Sequence, residues 1–117
     1  MLLPKGEDVL LRLYWRAIAP VPEDYTVFTH IEKDGLVVAQ KDNVPCCESP
    51  LYTTQWAVGR IVEDTYSLST DPDGPRGAFP LLVGMYLPSN GQRLPVYDAL
   101  DQPIGDSIVI SEVHVGG

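Results

Sequence analysis

Apolar and polar positions alternate along most of this chain with a period of two, the pattern of a strand that buries one face. Over residues 8–18 the set Val9, Leu11, Leu13, Trp15 and Ala17 falls on one side, and Arg12, Tyr14 and Arg16 on the other. That parity puts Trp15 in the core. A second strand is predicted over 25–33, with Tyr25, Val27, Thr29 and Ile31 inward and Thr26, Phe28, His30 and Glu32 outward. Asp34-Gly35 then makes a tight corner into a third strand over 36–42, because an Asp-Gly pair between β-branched and aromatic runs is the strongest short-range hairpin signal.

A connection over 43–59 follows, carrying two prolines, Cys46, Cys47, Tyr52 and Trp56. It is long for a compact domain, so it either carries function or folds over one end of the molecule. The fourth strand is predicted over 60–69, with Val62, Tyr66 and Leu68 as its core set. Thr70-Asp71-Pro72-Asp73-Gly74-Pro75-Arg76-Gly77 reads as a turn. The fifth strand covers 78–87, with Phe79, Leu81, Val83 and Met85 inward. Pro88-Ser89-Asn90-Gly91 turns into a strand over 93–97, and the last strand runs over 104–115. No stretch of about a dozen residues shows a helical period free of Pro and Gly.

With 117 residues the chain is read as one domain over 1–117, large enough to bury a core without disulfides or a metal. Eleven prolines and ten glycines are spread along it and punctuate short segments. The predicted fold class is all-β, an immunoglobulin-like antiparallel β-sandwich of about seven strands. The Cys-Trp-Cys pattern of antibody domains is absent, so the likeness is one of architecture.

A net charge of -8 and a pI near 4.4 exclude nucleic acid as a partner, since nothing here could displace counterions along phosphates. They argue equally against an anionic lipid surface. No apolar run approaches the roughly 18 residues of a membrane span, so direct membrane insertion is not expected. Met1-Leu2-Leu3-Pro4 is too short for a signal-peptide core.

Candidate chemistry is sparse. Cys46 and Cys47 are adjacent and could bridge only in a strained vicinal geometry, so they read as two free loop thiols. Asp71-Pro72-Asp73-Gly74 lacks the Glu an EF-hand loop needs at its twelfth position, where Leu82 stands. Asp98, Asp101 and Asp106 could ligate a cation, but turn aspartates that bond their own backbone are commoner. No Gly-x-Ser-x-Gly elbow is present, and His30 reads as a structural histidine bonded to a cross-strand neighbour. No metal, cofactor or catalytic residue is therefore expected. Tyr52 and Trp56, two rings four residues apart in the long loop, are the candidate carbohydrate-binding residues; alternatively Trp56 plugs the open end of the sandwich.

Taken in order, the motifs form a set: Leu13-Tyr14-Trp15-Arg16-Ala17, Asp24-Tyr25-Thr26-Val27-Phe28-Thr29-His30, Val38-Ala39-Gln40-Lys41-Asp42, Trp56-Ala57-Val58-Gly59 with Asp64 and Tyr66, Gly84-Met85-Tyr86, Gly91-Gln92-Arg93-Leu94-Pro95 and Gly105-Asp106. The set resembles the soluble domain at the C-terminal end of polytopic bacterial membrane glycosyltransferases of the dolichyl-phosphate-mannose mannosyltransferase type. Cys46-Cys47-Glu48 departs from the small, Gly-rich residues that such domains place there.

The resemblance implies a piece of a larger membrane protein, held on the extracytoplasmic face of a bacterial membrane beside its transmembrane region. It implies an accessory module that is not itself an enzyme, because the transferase chemistry belongs to the membrane part. Glycan or lipid-linked sugar is the contact expected in that setting. A purely structural or protein-interaction domain without a small ligand is the alternative.

Overall fold

Alternation in the sequence becomes alternation in burial most plainly in β5. In the computed structural model, which describes residues 2–3, 7–45 and 51–116, β5 (Ile61–Ser69) buries every second residue: Val62, Asp64, Tyr66 and Leu68. It pairs antiparallel along its whole length with β2 (Asp8–Arg16), Trp15 lying opposite Val62 and Val9 opposite Leu68. β2 turns Val9, Leu11, Leu13 and Trp15 inward, and Ala17 continues that side beyond its end. These two strands form one sheet of the sandwich.

The facing sheet is larger. Its order is β1 (Leu2–Leu3), β9 (Ile108–Val115), β6 (Gly77–Tyr86), β3 (Thr26–Lys33) and β4 (Leu36–Asn43). All its pairings are antiparallel except β1 on β9, which is parallel and sets Leu2 beside His114 and Leu3 beside Val115. The inner faces meet in one apolar cluster built from Val9, Val27, Ile31, Leu68, Leu81 and Val113, among others. Trp15 is half-buried and spans this cluster and a second one formed by Ala17, Trp56 and Val62 at one end. Among the described residues there is no α-helix, and no helix is long and apolar enough to cross a membrane. The all-β sandwich expected from the alternation is the fold observed.

The Asp34-Gly35 corner closes as the residues dictate. Asp34 (φ 52°) and Gly35 (φ 83°) both take positive φ, the requirement of a type I′ turn, whose twist matches the flanking strands.

Two expected strands are different in the structure. The segment predicted over 93–97 keeps only a bridge from Arg93 to Tyr86 and a short β7 (Val96–Tyr97), because Pro95 has no N–H to give a ladder. The strand predicted over 104–115 is broken in two. Gly105 at φ 137° turns the chain out of β8 (Pro103–Gly105), which pairs with β7, and β9 starts afresh at Ile108.

Candidate functional site

The described part of the long loop from Leu51 onward folds over one end of the sandwich. Its 3₁₀ turn, Thr53–Gln55, is stapled to the chain entering β3: the Thr53 hydroxyl donates to the Glu23 carbonyl at 2.6 Å and accepts the Tyr25 amide at 3.0 Å. Asp24 accepts both the Thr54 amide, at 3.1 Å, and its hydroxyl, at 2.6 Å. Trp56 lies inside this clasp, 8% exposed, against Ala17, Val62, Val21 and Leu51, with its indole N–H on the Leu51 carbonyl at 3.1 Å. Tyr52 remains exposed. The two rings thus do not stand side by side as an open stacking surface. Cys46 and Cys47 lie outside the described residues.

A denser constellation occupies the outer face of the larger sheet, which sequence parity treats as solvent-facing. Phe28 is only 1% exposed there. It lies opposite Gly84 on β6 and Asp42 on β4. A Cβ at position 84 would run into the Phe28 ring and crowd the Asp106 carbonyl, so glycine is what lets the ring lie down against the sheet. The turn after β6 then brings Arg93 back over it, the guanidinium 4.2 Å from the ring centre. Arg93 also reaches the Asp106 carboxylate at 3.4 Å.

Around this ring, Asp42 gathers two partners from neighbouring strands. Tyr86 donates its hydroxyl to Asp42 at 3.1 Å, and His30 Nε2 lies 3.3 Å from the other carboxylate oxygen. The Phe28 and His30 rings are 5.1 Å apart, centre to centre. His30 Nδ1 is buried without a hydrogen bond, the Glu32 carboxylate lying 3.8 Å away. Partial burial, and then the hydrogen bond and charge of Asp42, raise the Tyr86 phenol above its ordinary pKa. Together Phe28, His30, Asp42, Tyr86, Gly91 and Arg93 line a shallow hollow of about 200 Å³. That is below the roughly 300–1,000 Å³ of a small-molecule site, and its lining includes no hydroxyl, thiol or amine nucleophile besides the phenol of Tyr86. The cluster ties β3, β4 and β6 together from outside. The signal that could have revealed it is Gly84, a glycine inside an otherwise apolar strand.

The turn aspartates are occupied locally. Asp71 accepts the Asp73 amide at 2.9 Å, and Asp98 accepts the amides of Leu100 and Gln102 at 2.8 and 3.0 Å. Among the described residues no group of three or more His, Cys, Asp or Glu side chains is placed to hold a metal ion.

The side of the sandwich between β2 and β9 is open. Ile108, Val109 and Ile110 are 42%, 64% and 45% exposed, and Tyr14 on β2 is exposed beside them. Two contiguous hollows of about 180 and 190 Å³ run along this side, sharing Trp15 and Ile108; Leu13, Val83 and Ile110 wall one, Met85, Leu94 and Val96 the other.

Comparison with protein-family models, with curated proteins and with solved structures finds no match to this chain.

Proposed function

We propose that the chain is a non-catalytic accessory module that works by contact with another polypeptide. The observation that carries this reading is the exposed apolar side of the sandwich. Tyr14, Ile108, Val109 and Ile110 stand in solvent on the side of the sandwich between β2 and β9, where Tyr14, Ile108 and Ile110 line one hollow. Apolar side chains gathered on one side of a small domain mark a contact surface. Trp56 supports the same choice: as a buried plug it offers no face to a sugar, so polypeptide contact is preferred to glycan contact. The resemblance supplies the setting we propose, the extracytoplasmic face of a membrane glycosyltransferase-like protein, with its transmembrane region as a neighbour.

The test is a pair of selections on the purified domain, one against a glycan array and one against a phage-displayed peptide library. We expect enrichment of peptides and no glycan signal, with Tyr14→Lys or Ile108→Lys/Val109→Lys abolishing the enrichment while leaving the thermal midpoint within a few degrees. A glycan that binds while no peptide is enriched would overturn the proposal.

A further inference from the structure

The outer face of the smaller sheet sets cations among apolar side chains in a chain that is otherwise acidic. From the row that β2 turns outward, we infer that this face docks an extended acidic segment of the partner polypeptide, its carboxylates on Arg12 and Arg16 and its apolar side chains on Leu10, Tyr14 and Ile18. This rests on the contact reading above and names the chemistry of the partner.

The first observation is the row itself. Every second residue of β2 points away from the core, so Leu10, Arg12, Tyr14 and Arg16 form a line, and Ile18 extends it past the end of the strand. All five are exposed, Leu10 and Ile18 by 78% and 86%. Apolar and cationic side chains therefore alternate along the row, with Arg12 and Arg16 roughly 13 Å apart at the usual rise of a strand. On β5, Ile61 lies opposite Arg16 and is exposed as well.

The second observation is charge. The chain has sixteen acids and eight Lys and Arg residues, yet along the row from Arg12 to Ile18 the neighbouring strand turns one carboxylate outward, Glu63. Glu63 meets Arg12 Nε at 3.4 Å with both side chains more than half exposed, a pair that solvent makes weak and a partner's carboxylate can displace. Asp8, at the far end of β2, accepts the hydroxyls of Ser67 and Ser69. Among the described residues Arg16 has no ion-pair or hydrogen-bond partner, and neither has Arg60, which is exposed next to Ile61. Guanidinium groups left free among exposed apolar side chains are complementary to carboxylates.

The third observation is a hollow of about 490 Å³ on the same face. The Leu11–Tyr66 pair is its floor, and Leu10, Arg12, Thr65 and Ser67, the outward residues on either side of that pair, are its corners. Its volume lies within the range of a ligand site. Its rim offers one apolar group, one guanidinium and two hydroxyls, which suits an acidic side chain seated beside an apolar one.

An extended segment turns alternate residues toward the face it lies on. The complementary sequence thus reads apolar-x-acid-x-apolar-x-acid-x-apolar, the same in either chain direction. A second copy does not supply it: no two of the sixteen acids stand four positions apart, and two chains of net -8 repel each other.

The probe is the peptide Leu-Thr-Glu-Thr-Leu-Thr-Glu-Thr-Leu, acetylated and amidated, titrated into the isotope-labelled domain at about 0.05 M salt, where charges are little screened. We expect saturable shifts at Arg12, Tyr14, Arg16 and Thr65. Arg12→Gln/Arg16→Gln should weaken binding about fivefold or more, as the loss of two exposed ion pairs allows, with the thermal midpoint kept within a few degrees. Arg12→Glu/Arg16→Glu should abolish it and gain binding of the peptide with Lys at both Glu positions, a reversal that a merely structural role for these arginines would not give. Shifts confined to residues 108–110, or equal binding of the Glu and Lys peptides to the wild type, would overturn the acidic partner and leave the contact reading standing. Binding to vesicles of an anionic phospholipid, lost in Arg12→Gln/Arg16→Gln while the peptide fails to bind, would assign the face to lipid and overturn the choice of partner. Shifts that grow with protein concentration without peptide would assign it to a second copy and overturn that choice likewise. If the Glu peptide fails while the library enriches peptides that bind at Tyr14 and Ile108, this inference falls alone; if the library yields none either, both readings fall.

Discussion

The single most consequential polar residue is Asp64. It is buried to 1% exposure in β5, and the Trp15 indole N–H donates to it at 3.0 Å across the β2–β5 pair. Removing an acceptor from a buried donor costs about 1–3 kcal/mol. Asp64→Ala should therefore lower unfolding stability by about that amount, and Asp64→Asn, which keeps an acceptor, by less; urea denaturation of both variants checks this. Trp15→Ala removes the ring that joins both apolar clusters and should cost about 3–5 kcal/mol. Asp64 also acts on Tyr66, whose phenol is held well above its ordinary pKa, first by burial and then by the nearby Asp64 carboxylate. The linkage has a definite sign. A phenol with a raised folded pKa keeps its proton longer in the native state, so the native state binds more protons than the unfolded one. Stability is then complete below the unfolded value of about 10 and falls as pH rises beyond it. Unfolding midpoints taken from about pH 8 to about pH 11 should drop at the alkaline end, and Tyr66→Phe should flatten that drop. A wild-type profile flat above pH 10 would contradict the assignment.

At the scale of elements, the Asp34-Gly35 turn gives a clean measurement. A Cβ on Gly35 would meet nothing within 4 Å, so its φ of 83° is the whole difficulty. Gly35→Val should cost about 1–2 kcal/mol through backbone strain alone, whereas Gly35→Asn, a residue at ease in that region, should cost less. Equal losses from the two, measured by thermal unfolding, would mean the turn is not rigid. Gly84 differs because its neighbours are close: Gly84→Ala should displace Phe28 and loosen Arg93, visible as a shift of the Phe28 ring resonances. These two glycines show where sequence was legible. Gly35 announced itself through a local turn pattern, and the inward sets of β2, β5 and β6 followed from alternation, because burial on one face is a period-two property. Phe28 did not follow. Parity assigns it to the outer face correctly, but only the chain returning through Gly91 to Arg93, more than sixty positions away, buries that face. Pro95 and Gly105 carried the signals that shorten β7 and separate β8 from β9, outweighed in the alternation by their neighbours. Trp56 was legible in its two alternatives, and the Thr53–Glu23 and Thr54–Asp24 bonds that fold its loop inward have no local pattern.

At the scale of the whole molecule, an acidic chain carries an apolar edge that would otherwise pair with copies of itself. Exposed strand edges without charge or proline are templates for association, and Ile108, Val109 and Ile110 form such a stretch. A net charge of -8 at neutral pH opposes that association by repulsion between copies. Repulsion weakens as salt screens it over about 10 Å at 0.1 M, and it vanishes where the net charge reaches zero, at the sequence pI of about 4.4. The domain should therefore run as a monomer at pH 7 in low salt and associate as the pH is lowered toward 4.4, well before the fold is lost. Val109→Lys places a charge in the middle of the free edge and should suppress that association without lowering the thermal midpoint at pH 7. Size-exclusion chromatography with light scattering across the pH range, run on both proteins, separates the possibilities. If both associate alike, the contact is made through the outer face of β2 and β5, where Leu10 and Ile61 are exposed, and β9 is not the reactive edge. If only the wild type associates, β9 is the reactive edge and the net charge is what protects it at neutral pH.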